Sequence, residues 1–149
     1  MDVARGDGAE SGFGALSAKQ AVRRGLEGAT SARYRAENHE EFEGIVEKRH
    51  ADSPSLASYY GQAKAGWRFD ASGEVGRISS PTLVVHGSED RYVPPSNASA
   101  LAEAIPNARL RVIEGAGHLV FVERAAEVNR QVLEFLADGE PNVAHGGSV

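Results

Sequence analysis

Residues 82–90 read TLVVHGSED, and residues 110–118 read LRVIEGAGH. The first four residues of each stretch predict a short strand, and the apolar run TLVV is typical of a strand that is buried on both faces of a parallel sheet. Each strand leads into a loop that carries a candidate group for proton transfer, which is Asp90 in the first and His118 in the second. Parallel sheets gather such groups at the carboxyl ends of their strands, so we expect Asp90 and His118 to meet at one edge.

Two helices are predicted beside these strands. Residues 96–105 would form a helix that Pro106 ends, and residues 124–137 would form the last helix. The apolar side chains of this last helix fall on one face: Val128, Val132, Phe135 and Leu136. Strand, helix, strand and helix in succession predict the α/β class.

The residues before the first strand predict helices. Asn38 is a candidate N-cap with Glu41 completing a capping box, and a second helix is expected to start at residues 53–54, with proline in the favoured first position. The aromatic side chains of this second helix are expected to pack in the core, or else to line a pocket: Tyr59, Tyr60 and Trp67.

Four segments follow from these patterns. Residues 1–28 offer little to bury and are expected to be a leader that is disordered or displaced. Residues 29–76 form a helical segment, residues 77–138 form the α/β core, and residues 139–149 are expected to be a flexible tail.

Composition argues against several classes of function. The 149 residues are 41% hydrophobic and 25% charged, as in one soluble globular domain. A net charge of −5 argues against nucleic-acid binding, and no apolar run is long enough for a secretory signal or a membrane span. The chain has no cysteine, and His39, His50 and His145 lack the spacing of a metal site. We therefore expect a cytoplasmic protein with no cofactor, metal ion, nucleic acid or membrane partner.

An acid beside a histidine is an arrangement for proton transfer. The carboxylate of Asp90 would accept the Nδ1–H of His118, fix the imidazole tautomer and stabilise the imidazolium. Glycines at positions 115 and 117 would let the loop turn sharply toward the acid. Structural alternatives stay open, because Asp90 could bond only the N–H groups of its own turn and His118 could be a structural histidine. His86 is expected to be a packing residue whose polar atoms are satisfied.

The two motifs resemble those of the α/β-hydrolase superfamily. Residues 78–90 resemble its acid strand and loop, residues 112–118 resemble its histidine loop, and Glu123 with residues 135–136 matches its final helix. The helical segment resembles the lid of enzymes such as the 3-oxoadipate enol-lactonases. The resemblance implies a partial α/β-hydrolase fold, in which a helical lid segment is followed by the last two parallel strands and their helices.

The resemblance also implies roles for single residues. Asp90 would be the acid and His118 the general base of a catalytic triad that hydrolyses an ester, a lactone or a similar small carbonyl compound. Glu123 is expected to cap or charge the start of the last helix.

The nucleophile that the resemblance implies has no counterpart in the sequence. The family carries it on a G-x-S-x-G elbow that precedes the acid and the histidine. The nearest candidate, Ser11, lacks both flanking glycines, and Ser88 and Ser96 lie near the acid loop but not on an elbow. We therefore expect a hydrolase without its nucleophile-bearing N-terminal half, inactive as this chain alone, from a truncated gene, a misplaced start or a split product.

Two alternatives stay open beside this interpretation. The chain could be a non-catalytic remnant that binds a small ligand or another chain, or an esterase whose nucleophile is not recognised. A sheet without its neighbouring strands has an unpaired apolar edge. We therefore expect the chain to bind a complementary N-terminal fragment or to associate with itself through that edge.

Overall fold

The structure, a computed structural model, describes residues 17–138, apart from the side chains of Leu56, Tyr59 and Trp67. Helices come first: α1 (Ala18–Ala29), α2 (Ala32–Glu37), α3 (His39–Ala51), α4 (Leu56–Arg68) and a 3₁₀ turn (Val75–Arg77). Strands and helices then alternate: β1 (Thr82–Gly87), α5 (Pro95–Ala104), β2 (Ala108–Ile113), α6 (Val120–Glu123) and α7 (Ala125–Asp138). Residues 1–16 of the predicted leader and the predicted tail at 139–149 lie outside the described part of the chain.

Strands β1 and β2 pair in parallel. The register joins Thr82 to Ala108 and Gly87 to Ile113, so the two strands begin and end level with each other. Helix α5 connects them and contacts both. The predicted strands and the α/β class are confirmed, and the two loops with polar groups leave the same edge of the sheet.

Helix α1 corrects the prediction of a disordered or displaced leader for the residues that the helix spans. Ser17 caps the helix, because its side chain accepts the N–H of Gln20, and the side chain of Gln20 accepts the N–H of Ser17 at 2.8 Å. Leu26 is buried, and Arg23 forms an ion pair with Glu43 of α3. A capping box and one apolar stripe fix this helix against its neighbour, even though the stretch is rich in small and polar residues.

The starts of α3 and α4 also differ from the prediction. Asn38 precedes α3, but its side chain donates to the carbonyl oxygen of Tyr34 at 3.2 Å and forms no capping box. Helix α2 ends at the same residue, so the amide of Asn38 closes α2 instead of opening α3. Helix α4 starts after residues 53–54, because Ser55 caps it by accepting the N–H of Ser58 at 3.2 Å.

The helices before β1 have an apolar core of their own. Its buried side chains come from α1, α2 and α3: Leu26, Tyr34, Phe42 and Val46. Leu119 and Val122, which follow the histidine loop, pack against this cluster. Tyr60 of α4 is 67% exposed, so the expectation that it packs in the core is wrong.

A second apolar cluster lies at the end of β2. Its buried members are Ile113, Ala116 and Val120, with Val85 of β1 and Val128 of α7 packed against them. His118 therefore stands between Ala116 of this cluster and Leu119 of the helical one. The backbone of the histidine loop is held by two apolar cores at once.

Gly87 ends β1 where the histidine loop passes close to it. A Cβ at this position would overlap the carbonyl oxygens of Ala116 and Gly117 and would lie 2.8 Å from the carbonyl carbon of Ala116. These are backbone atoms, which cannot turn aside as the end of a flexible side chain can. The close approach of strand and loop therefore requires glycine.

Gly87→Ala should lower the free energy of unfolding by about 2 kcal/mol or more, because the added methyl group displaces the loop. The matched control is Gly44→Ala in α3, where a Cβ meets no described atom within 4 Å. Alanine in a helix should leave stability unchanged or raise it by up to ~1 kcal/mol. Urea unfolding measures both effects. Wild-type stability in Gly87→Ala would contradict the close approach.

Candidate active site

The loops that follow β1 and β2 are hydrogen-bonded to each other. The N–H of Glu89 donates to the carbonyl oxygen of Ala116 at 2.8 Å, and the N–H of Gly115 donates to Oγ of Ser88 at 2.9 Å. Gly115 has a φ of +67°, a conformation that favours glycine and turns the chain sharply, as expected from the sequence. The Ser88 hydroxyl thus supports the histidine loop, and Ser96 lies exposed on α5.

The structure brings Asp90 and His118 together at this edge of the sheet. Nδ1 of His118 lies 2.8 Å from Oδ2 of Asp90. The side chain of Asp90 is only 2% exposed, whereas that of His118 is 40% exposed. The acid is therefore inside the protein, and the imidazole is the part of the pair that a further group can reach.

The Asp90 carboxylate also accepts hydrogen bonds from its own turn. Oδ1 accepts the N–H of Tyr92 at 2.8 Å and the N–H of Val93 at 2.9 Å. Burial by itself raises the pKa of the Asp90 carboxyl, but hydrogen bonds from the N–H of Val93, the His118 imidazole and the N–H of Tyr92 outweigh burial and lower its pKa below the usual value. The two interpretations of Asp90, turn residue and partner of His118, therefore both describe its contacts.

The hydrogen bond to Asp90 assigns the tautomer of His118. A carboxylate only accepts, so Nδ1 carries the proton and Nε2 of the neutral ring is an acceptor. The ring of Tyr92 meets the imidazole edge to face, with the ring centroids 5.5 Å apart. The hydrogen bond to Asp90 thus fixes the tautomer of His118, and the contact with Tyr92 restricts the orientation of its ring.

A second histidine contacts the same carboxylate. Nε2 of His86 lies 3.0 Å from the carbonyl oxygen of Val93 and 3.3 Å from Oδ2 of Asp90. Since a carbonyl oxygen only accepts, Nε2 of His86 carries a proton that is shared between the two oxygens. His86 is part-buried and its Nε2 has hydrogen-bond partners, but its contact with the acid was not predicted. The signal in the sequence was its position four residues before Asp90, across a tight turn.

Glu123 forms hydrogen bonds that were not predicted. Its carboxylate is buried and accepts the N–H of Gly117 at 2.9 Å and the N–H of Ser31 at 3.1 Å, neither of which belongs to the start of α7. The side chain turns back from α6 because these two buried N–H groups need an acceptor. Sequence reasoning missed this role, since Ser31 lies 92 positions away along the chain.

Helix α1 touches the site directly. The hydroxyl of Tyr92 donates to the carbonyl oxygen of Gly25 at 2.7 Å, and a Cβ at Gly28 would lie 2.5 Å from the same hydroxyl oxygen. The N–H of Leu119 donates to the carbonyl oxygen of Ala29 at 2.9 Å. Helix α1 is therefore attached both to the acid loop and to the residue after His118.

A family model described as the alpha/beta hydrolase fold matches residues 14–125, which is more than half of the chain. The matched range contains β1, β2, Asp90 and His118. The chain belongs to the alpha/beta hydrolase fold family. The resemblance drawn from the sequence and the partial α/β-hydrolase fold that it implied are thereby confirmed.

The chain is similar in sequence to two relatives and in structure to a third protein. The polyketide synthase ThaQ of Burkholderia thailandensis is 41% identical over 81 residues, which cover 54% of this chain and 4% of that protein. A 2-hydroxy-6-oxononadienedioate/2-hydroxy-6-oxononatrienedioate hydrolase of Cupriavidus pinatubonensis is 38% identical over 69 residues, covering 46% of this chain and 24% of that protein. The crystal structure of the enol-lactonase from Burkholderia xenovorans matches with a TM-score of 0.72 at 25% identity, covering 78% of this chain and 44% of that one.

This α/β-hydrolase chain spans less than half the length of each of these relatives. Within residues 17–138, no helix has both the length and the apolar character that crossing a lipid bilayer requires.

Asp90→Asn tests the electrostatics of the buried carboxylate. The pKa of Asp90 in the folded state lies below the usual value of about 4, so its ionised form stabilises the fold above that pH. This contribution is lost as the pH falls through the lowered pKa. The variant should therefore be less stable than the wild-type protein by about 1–3 kcal/mol near neutral pH, and the gap should shrink at acid pH.

Urea unfolding between about pH 7 and about pH 2 measures this gap. Asp52→Asn removes an exposed carboxylate at the end of α3 and is the matched control. It should show no comparable gap at any pH. A gap for Asp90→Asn that keeps its size into the acid range would contradict the lowered pKa.

Proposed function

We propose that Asp90 and His118 are the acid and the general base of a serine-type hydrolase that cleaves an ester, a lactone or a similar small carbonyl compound. The single observation that carries this proposal is the hydrogen bond of 2.8 Å between the buried Asp90 carboxylate and Nδ1 of His118. Membership of the α/β-hydrolase family and the hydrolase and enol-lactonase names of the relatives support the reaction class.

The geometry suits proton transfer through Nε2 of His118. In the proposed reaction, this nitrogen removes the proton of a serine hydroxyl as the hydroxyl oxygen attacks the carbonyl carbon. The imidazolium that forms carries its positive charge next to ionised Asp90, which stabilises the charge and stays deprotonated. His118 then returns the proton to the leaving oxygen, and a water molecule repeats the sequence on the acyl-enzyme.

The nucleophile in this proposal comes from residues outside the printed sequence. The sequence has no G-x-S-x-G, and the hydroxyl of Ser88 accepts the N–H of Gly115 from the histidine loop. A preceding part of the same polypeptide or a separate chain would supply the nucleophile and the oxyanion hole. The printed chain by itself is then inactive.

The helical segment acts as a lid in this proposal. The sequence predicted such a segment over residues 29–76, and the described helices run from Ala18 to Arg68. Helix α1 is bonded to Tyr92 and Leu119, which flank the acid and the base. A substrate that approaches Nε2 of His118 would therefore pass beside these helices.

A fusion of the chain behind the N-terminal strands and G-x-S-x-G elbow of an α/β-hydrolase tests the roles of both residues. In an active fusion, Asp90→Asn should lower kcat by up to ~10⁴-fold, because the imidazole is then held in the wrong tautomer. His118→Ala should lower it at least as much, and His39→Ala, at an exposed histidine, should leave it unchanged.

Hydrolysis of an activated ester is the measurement. The 149-residue chain alone should hydrolyse the ester no faster than its His118→Ala variant. Near-normal turnover of either substituted fusion would contradict the assigned roles. Saturable hydrolysis by the 149-residue chain alone that is lost in His118→Ala would contradict the proposal that the nucleophile comes from another segment.

The partner in this proposal is the segment that carries the remaining strands. Each strand of the β1–β2 pair has one edge without a described neighbour. Apolar side chains on α6 and α7 are also exposed: Phe121 at 59%, Leu133 at 67% and Leu136 at 58%. Surfaces of this kind are normally covered in a parallel sheet with helices on both faces.

Without that segment, the 149-residue chain should associate with itself in a concentration-dependent way. Leu133→Lys combined with Leu136→Lys should weaken the association, because charges on α7 are costly to bury. Glu134→Lys, at an exposed position on another face of the same helix, changes the net charge by the same amount as the two leucine substitutions and is the control. Sedimentation velocity measures the outcome. A chain that stays monomeric at every concentration would contradict the proposed self-association.

A further inference from the structure

We infer that Glu123 is a positioning residue for His118, acting through the peptide group of Gly117. This inference rests on the proposed function, since it concerns the residue assigned as general base. The Glu123 carboxylate accepts hydrogen bonds from backbone N–H groups and not from the imidazole. Its carboxylate holds the backbone on which the imidazole stands.

The contacts of Glu123 join two distant parts of the chain. Oε1 accepts the N–H of Gly117, the residue before His118, at 2.9 Å. Oε1 and Oε2 accept the N–H of Ser31, at the start of α2, at 3.1 Å and 3.2 Å. The carboxylate is buried with 7% of the residue exposed, so these N–H groups take the place of water around its charge.

The space around Gly117 is closed by the same groups. A Cβ at this position would lie 2.9 Å from Oε1 of Glu123, 3.0 Å from the carbonyl oxygen of Ala29 and 3.1 Å from the nitrogen of Ser31. The peptide before His118 is thus enclosed by the carboxylate and by the turn between α1 and α2. On the other side of His118, the N–H of Leu119 is bonded to Ala29.

This arrangement makes the ring position of His118 depend on the lid. The backbone is fixed immediately before and immediately after the histidine, and both attachments lead to residues 29–31. The Nδ1–H of His118 must meet Oδ2 of Asp90 within a narrow range of distance and angle. Loss of the Glu123 carboxylate frees the peptide of Gly117, and the imidazole then samples orientations that miss the acid.

The tautomer of His118 reports this role, and its measurement needs no catalysis. The 149-residue chain is labelled with ¹⁵N-histidine and studied by NMR at about pH 9, where histidine is neutral. The chemical shifts of the two ring nitrogens then give the ratio of the Nδ1–H form to the Nε2–H form. His118→Ala removes this ring alone and assigns the signal. The wild-type chain should hold His118 mainly as Nδ1–H, and Glu123→Gln should lower the ratio roughly tenfold, because one charge-assisted acceptor is replaced by a donor.

Glu127→Gln, on an exposed face of α7, is the matched control and should leave the ratio unchanged. If Glu123→Gln does not fold, Glu123→Asp keeps the charge but withdraws the carboxylate, and should lower the ratio in the same direction. A ratio that stays at the wild-type value while the free energy of unfolding falls would overturn the inference and leave Glu123 a purely structural residue. A wild-type chain without excess Nδ1–H would instead overturn the Asp90–His118 pair itself, and the inference with it.

Discussion

A buried carboxylate must be surrounded by donors, and Asp90 meets this constraint with groups from three places in the chain. Its own turn supplies the N–H groups of Tyr92 and Val93, the end of β1 supplies His86, and the loop after β2 supplies His118. Removing water from a carboxylate is expensive unless every lone pair finds a partner. The acid loop and the histidine loop can therefore reach this arrangement only together. The His118 imidazole is one of the donors that keep the Asp90 carboxylate ionised.

The parts of the fold that the sequence predicted are those with a local signal. The run TLVV, the glycines and the order of Asp90 and His118 are contained in two short stretches, and parallel pairing alone brings those stretches to one edge. The candidate pair was predicted for this reason, and its catalytic role stays a prediction.

The parts that were missed depend on contacts between distant or competing groups. Helix α1 was overlooked because its stretch is rich in small and polar residues, and its contacts with α3 and with the acid loop join positions that are distant along the chain. Asn38 carried a valid start signal, but the end of α2 needed the same amide. Glu123 matched a pattern at the start of a helix, and only the folded chain supplies Ser31 as its second donor. In each case the local preference was real, and a tertiary partner outweighed it.

The bond between Glu123 and Ser31 has a consequence for the order in which the chain folds. Most contacts around the acid join residues close in sequence, such as Asp90 and His118 at a separation of 28 positions, whereas this bond joins residues 92 positions apart. Closing a longer loop loses more chain entropy before any contact compensates for it, and contacts of high sequence separation slow folding. The strands and their turns can therefore form early, while the histidine loop reaches its final geometry only after the helices at the other end of the chain have docked.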